Sequence, residues 1–321
     1  MIAIAPMLDW SDRHYRYFMR QITRHTTLYT EMIVADAIIH GNTERLLGFD
    51  SIEHPVVVQL GGSDPKKLVL AAKTCEQYGY SAINLNVGCP SDRVKSGNFG
   101  ACLMANSNLV GDCIKSMQDT VTIPVTVKHR IGLNDNNEYN FVNDFVATLA
   151  LHGCKHFVVH ARNAILGGLS PKQNREIPPL KYDYVYQLKR DFKDLEFVIN
   201  GGIKTTDEIN THLTHVDGVM LGREAYYNPY LFSDFDNLYY GTNSKVRSRI
   251  EIAKAMISYL ELAQKNDIYL HHITRHMIGL YHGMPNAKIW RYQLTNEIIK
   301  TNSIDTYIKL IDYMSSHENI L

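Results

Sequence analysis

The chain has 321 residues, 45% hydrophobic and 21% charged, with 33 basic residues against 33 acidic ones and a formal net charge of zero. That length suits one large domain plus a small appendage. The even charge argues against a protein that coats nucleic acid indiscriminately, although it leaves room for local basic patches. Five cysteines with no CxxC pair, and no apolar stretch near the roughly 18 residues of a membrane span, give no reason to expect a disulfide framework, a zinc ribbon or a transmembrane helix.

The chain opens directly on an apolar run, without a basic segment or signal-like core, so a cytoplasmic protein is expected. Seven further runs of strand length follow the one at residues 2–7. They cover residues 28–34, 55–60, 82–87, 124–128, 155–160, 196–200 and 217–221. Several are nearly continuous in Val, Ile and Leu, as in parallel strands buried on both faces. The intervening segments carry helical periodicity, and Ser63-Asp64-Pro65 supplies a capping residue and an early proline to open one of them. Strand–helix alternation implies βαβ units, and eight of them make a (β/α)8 TIM barrel. Residues 237–244, rich in Tyr, Gly and Asn, read as a linker. Beyond it Ile250, Ala253, Ile257 and Leu260 recur at helical spacing, and Pro285 is placed to begin another helix. The expected organisation is therefore a barrel domain over residues 1–236 and a small helical domain over residues 245–321.

Most runs end in polar or small residues, at the face where a barrel carries its active site. Asn200-Gly201-Gly202 and Gly222-Arg223 follow the seventh and eighth runs, the usual phosphate-binding place in barrels, where glycines let backbone N–H groups approach an anion. Either motif alone could be a tight turn, and the ligand could be a phosphorylated metabolite or a cofactor. Pro6-Met7, Gln59, Lys128 and His160 suit a flat amphipathic ring that needs apolar backbone contacts, an amide at its edge and a cation near its N1/C2 end, which points to a flavin. Lys128 could instead be a Schiff-base nucleophile, and His160 alone could be structural. Cys89, between Gly88 and Pro90 just past the fourth run, is placed to donate a proton, whereas Cys75, Cys113 and Cys154 read as packing.

The loop Asn86-Val87-Gly88-Cys89-Pro90-Ser91, continued through Arg93-Val94, Gly97 and Phe99-Gly100-Ala101-Cys102-Leu103-Met104, resembles the signature of the tRNA-dihydrouridine synthases. Ala5-Pro6-Met7, Gln59-Leu60-Gly61-Gly62, Lys128-His129-Arg130-Ile131-Gly132, Val159-His160-Ala161-Arg162 and Asn200-Gly201-Gly202-Ile203 fall in that family's order, so the likeness spans essentially the whole chain. The Lys128-His129-Arg130 form and the loop over residues 172–175 are similar to the bacterial A-type branch. The resemblance implies FMN held by Pro6, Met7, Leu8, Gln59, Lys128, His160, Asn200, Gly201, Gly202, Gly222 and Arg223, with NADPH as reductant and no metal. It implies reduction of a D-loop uridine at position 20 or 20a of tRNA, with Cys89 giving the proton to C5. It also implies tRNA contacts at Asn86, Lys172, Arg175, Lys288 and Arg291.

The residues support an RNA surface in their own right. Arg162, Lys172, Arg175 and Lys181 face only Glu176 in charge over residues 161–181, and Arg275, Lys288, Arg291 and Lys300 face only Glu297 over residues 270–300. Lys288 and Arg291 are i,i+3 neighbours beside a Trp290/Leu294/Ile298 stripe, and Trp290 itself reads as core. A monomer without an obligate protein partner is the default. Three other readings stay open at this point: an FMN barrel acting on a free pyrimidine, a Schiff-base aldolase, and a non-catalytic tRNA-binding protein.

Overall fold

The computed structural model describes residues 1–317, apart from the side chain of Arg93. Eight parallel strands form one sheet: β1 (Ile2–Ile4), β2 (Leu28–Val34), β3 (Val56–Gly61), β4 (Ala82–Val87), β5 (Val125–Leu133), β6 (His156–Ala164), β7 (Glu196–Asn200) and β8 (Gly218–Leu221). From β2 to β8 each strand pairs with the next in sequence, and β8 pairs with β1. Thr27, just before β2, closes the ring on β1 by donating to the Ile2 carbonyl at 3.0 Å and accepting from the Ile4 amide at 2.9 Å. The result is a nearly closed (β/α)8 barrel.

Alternate residues of a strand share a face. One set points inward and forms a buried cluster of Ala3, Ala5, Tyr29, Val57, Ala82, Val158, Val198 and Met220, with Met7 packed on it. The opposite set (Val56, Val58, Ile83, Leu85, Val127, Val159 and Ile199 among others) is also buried, against the surrounding helices. This double burial is why the runs are almost continuously apolar. The helix Pro65–Gln77 shows how local sequence fixes an element. Asp64 accepts from the Lys66 and Lys67 amides at 2.9 and 3.3 Å, Pro65 sits at the start, and Leu68, Ala71, Ala72 and Cys75 form its buried stripe.

Several boundaries differ from the sequence reading, and β1 already ends at Ile4. β5 and β6 run on past residues 128 and 160 to Leu133 and Ala164, their pairing resuming after a register shift between Arg130 and Gly132. Gly132 makes this possible, because a Cβ there would stand 2.6 Å from both the Asn136 carbonyl and the Asn163 side-chain oxygen. The supposed linker also begins inside a helix, Phe235–Tyr240. Asp236 explains it: this buried carboxylate accepts from Thr23 Oγ1 and the Arg24 amide at 2.7 Å each and from the His25 amide at 3.1 Å, which fixes the segment. Gly241, at φ 66°, then ends the helix.

Residues 1–8, 27–49 and 54–222 form one compact unit, and residues 9–26, 50–53 and those from Arg223 onward form a second. The helical segment beyond residue 245 lies wholly in the second. Trp290, Leu294 and Ile298 are fully buried there, and the indole N–H donates to the Met277 carbonyl at 2.8 Å, as befits core. Lys288 and Arg291 are exposed beside them. Among the described residues no helix is long and apolar enough to cross a membrane, and no group of His, Cys, Asp and Glu is arranged to hold a metal.

Candidate active site

The inward face changes character toward the strands' C-terminal ends. Two residues beyond Val57, Ala82, Val158 and Val198 stand Gln59, Asn84, His160 and Asn200, and the register sets Gln59 beside Asn84, Asn84 beside Thr126, Asn86 beside Lys128 and His160 beside Asn200. A polar layer thus lies on an apolar floor. Buried amides must be satisfied, and these satisfy one another. Gln59 Nε2 donates to Asn84 Oδ1 at 2.8 Å, Asn84 Nδ2 to Thr126 Oγ1 at 2.8 Å, and Asn86 Nδ2 to Gln59 Oε1 at 2.7 Å. On the far side Lys128 Nζ donates to Asn200 Oδ1 at 3.1 Å, and Asn200 Nδ2 to the Met220 carbonyl at 2.8 Å.

Burial, and then the Arg130 charge, lower the Lys128 ammonium from the ordinary lysine range to about 7. Burial first, then the cations of Arg130, Lys128, Arg162 and Arg175, hold His160 well below its usual value, so its imidazole is neutral at pH 7. His129, one residue on from Lys128, points the other way: it is fully buried against Phe145 and Phe157 and is pushed down to about 4, chiefly by burial.

Cys89 is half-buried in the loop after β4. Asn86 Oδ1 accepts from the Gly88 and Cys89 amides at 3.1 and 3.0 Å, which folds the loop back over the strand end, and the thiol meets Ser91 Oγ at 3.6 Å. Gly100 backs the loop. It lies at φ 78°, and a Cβ there would stand 2.4 Å from Val94 Cγ1 and 2.7 Å from the Cys89 carbonyl oxygen, which in turn accepts from the Ala101 amide at 2.9 Å. Gly100→Ala is therefore expected to destabilise the fold by about 1–3 kcal/mol through strain at this φ, with the contact on Cys89 added. Gly168→Ala, at the same φ of 78° with nothing within 4 Å, carries the backbone strain alone. Denaturant midpoints compare the two, and equal losses would show that the Cys89 contact is soft. The other buried cysteines behave as packing: burial raises the thiols of Cys75, Cys113 and Cys154 to about 12.

Gly201 and Gly202, after β7, have φ of 124° and 77°, a left-handed conformation that glycine adopts without strain. Gly222, after β8, faces open space, since an added Cβ would meet only Ala5 Cβ, at 3.8 Å. Pro6 and Met7 are half-buried after β1, and Leu8 is 70% exposed. Arg223 opens the second unit, in which Lys288 and Arg291 also lie. Lys172 and Arg175 are exposed on the loop after β6, around a fully buried Asn174. The barrel thus brings together Gln59, Asn86, Cys89, Lys128, His160, Asn200, Gly201 and Gly202. Asn84, Thr126, Arg130 and Asn174 take part without having been singled out in sequence. Only the i+2 spacing of Asn84 from Asn86 and of Thr126 and Arg130 from Lys128 could have flagged the first three.

The family model "Dihydrouridine synthase (Dus)" matches residues 3–312. A tRNA-dihydrouridine(20/20a) synthase of Synechocystis sp. is 54% identical over 298 residues, 93% of this chain and 89% of that protein. The protein of the same name from Escherichia coli K12 is 52% identical over 314 residues, 96% of this chain and 91% of its own length. A solved structure of a 2-naphthoyl-CoA reductase in complex with 2-naphthoyl-CoA superposes with a TM-score of 0.56 at 7% identity, covering 73% of this chain and 49% of that one. At that identity the likeness is one of fold.

Proposed function

The chain belongs to the dihydrouridine synthase family, and from that premise we infer that it is an FMN-dependent tRNA-dihydrouridine synthase. On this reading it reduces the C5–C6 double bond of a D-loop uridine, at position 20 or 20a, with NADPH as the source of electrons. The observation that supports it best is the Cys89 thiol, held by Asn86 at the end of β4 beside an inward layer of amides and a half-buried lysine.

The residues present fit FMN. The glycine turn of Gly201 and Gly202 and the open approach at Gly222 suit a phosphate, with the Arg223 guanidinium next in the chain. Lys128, Asn200, Gln59 and the neutral His160 offer a cation, amides and an imidazole to the edge of a flat ring. Pro6, Met7 and Leu8 offer apolar contact. When bound, FMN supplies the hydride for C6 of the uracil. The protein supplies the proton: Cys89 Sγ–H gives it to C5, and the thiolate left behind is reprotonated from water, with Ser91 Oγ at 3.6 Å as a route. The target base must leave its stack to reach this layer. One N–H of the Asn86 amide is committed to Gln59, and the other is available to the base. Lys172, Arg175, Lys288 and Arg291 grip phosphates. A cytoplasmic monomer belongs to the same reading.

Mass mapping of unmodified tRNA transcripts after incubation with the protein and NADPH tests the proposal. Two added hydrogens on a D-loop uridine support it. A flavin-loaded protein that NADPH reduces but that leaves tRNA unchanged would return the free-pyrimidine reading. Replacing Lys288 and Arg291 together by alanine should raise KM for tRNA and flatten its dependence on salt by about two units of log–log slope, one per lost phosphate contact. An unchanged slope would remove both residues from the interface.

A further inference from the structure

Arg130 is 3% exposed, and its guanidinium donates to three backbone carbonyls. Nε donates to the Gly88 carbonyl at 3.0 Å, and Nη1 donates to the Asn163 and Asn174 carbonyls at 3.0 and 2.9 Å. These acceptors belong to three different segments: the loop after β4, the end of β6, and the loop that carries Lys172 and Arg175. A buried cation requires its partners. The three segments therefore cannot separate without stranding the charge. The planar fork of arginine suits several fixed carbonyls at once, and a lysine ammonium on a flexible stem does not reproduce it.

Each end of this bridge is itself anchored. The Gly88–Cys89 peptide is gripped at both polar atoms, its carbonyl by Arg130 and its N–H by Asn86. At the other end Asn174, fully buried, closes its loop: its Nδ2 donates to the Ile165 and Leu169 carbonyls at 2.9 and 3.2 Å, and its Oδ1 accepts from the Ile165 amide at 2.8 Å. Arg162 Nη1 adds contacts to the Glu176 and Pro178 carbonyls of the same loop.

We propose that Arg130 is a positioning residue that joins the Cys89 loop to the loop bearing Lys172 and Arg175, so that whatever orders the second loop also sets the placement of Cys89. The identity of the ordering ligand as tRNA rests on the function proposed above, but the link itself does not.

The test follows iodoacetamide alkylation of Cys89 in the flavin-loaded protein by peptide mass mapping, with hydrogen exchange read on both loops, in Arg130→Lys and Asn174→Ala. Asn174→Ala leaves the Arg130 charge and the Gly88 contact in place and loosens only the far loop. A several-fold change in Cys89 alkylation in Asn174→Ala, with exchange raised at both loops, is the expected result. Arg130→Lys should show the same and should lower kcat on tRNA by about a hundredfold, the loss expected when a catalytic group is displaced by about an ångström, while reduction of the flavin by NADPH is unaltered. Raised exchange confined to residues 165–180 in Asn174→Ala, with Cys89 alkylating as in the parent, overturns the proposal even if Arg130→Lys fails to fold. Loss of the function reading is seen separately, as a parent protein whose flavin NADPH reduces but which leaves tRNA unmodified.

Discussion

Cys89→Ala should lower turnover of tRNA uridine by about 10²–10⁴, the contribution of a positioned proton donor, while flavin content and its reduction by NADPH stay at the parent level. The separation follows from where Cys89 sits. It belongs to the loop after β4 and takes no part in the amide layer of Gln59, Asn84 and Thr126 or in the Lys128–Asn200 pair, so removing the thiol disturbs neither. Cys102→Ala is the matching control, since that thiol is turned toward the Phe99 carbonyl at 3.2 Å. Single-turnover assays with pre-reduced enzyme read the step directly. Full activity of Cys89→Ala in them would take the acid role from this residue.

The second large effect concerns Lys128 and carries a sign that pH exposes. In the flavin-free protein burial brings this lysine to about 7, so above neutrality it is mostly uncharged. Beside an anionic ligand the charged form is favoured. FMN binding at mildly alkaline pH should therefore take up a proton, and affinity should fall as pH rises past 7. Calorimetry in buffers of different ionisation enthalpy measures the uptake. Lys128→Met should abolish it and weaken binding by about 10–100-fold, equivalent to the 1.5–3 kcal/mol of a hydrogen bond to a charged group. No proton uptake by the parent would place the anion elsewhere. Linkage gives a companion result for the flavin-free fold. An unfolded lysine titrates near about 10.4, so between pH 7 and that value the unfolded chain holds the extra proton. This residue's contribution to stability accordingly increases with pH across that window.

The barrel was legible because two-sided burial writes itself as apolar runs, and β2, β4 and β7 begin and end where the runs do. β5 and β6 were read short. Their extensions, through Arg130 and Arg162, are polar and look like loop, and pairing across a register shift leaves no hydrophobic signature. The C-terminal part of helix Phe235–Tyr240, residues 237–240, reads as linker for a similar reason: what anchors the helix is Asp236, whose partners Thr23, Arg24 and His25 lie more than two hundred residues away in the chain. At the site, glycines, a cysteine and a lysine announce themselves by type. Asn84, Thr126 and Asn174 do not, because their role is to complete other residues' hydrogen bonds, and that depends on neighbours only the fold supplies.

The order of the segments also bears on how the chain comes to be folded. β1 is made first and its partner β8 last, and the second unit needs residues 9–26, residues 50–53 and everything from Arg223 onward. Until β8 emerges from the ribosome, one side of β1 has no permanent neighbour, and the helix Arg13–Arg20 has no core to bury its Tyr15, Phe18 and Met19 against. Closing such distant ends is slow and exposes apolar surface meanwhile. A premature stop before Gly218 would thus leave a nascent chain with an open sheet edge and an unburied amphipathic helix, a natural client for chaperones rather than a shortened enzyme.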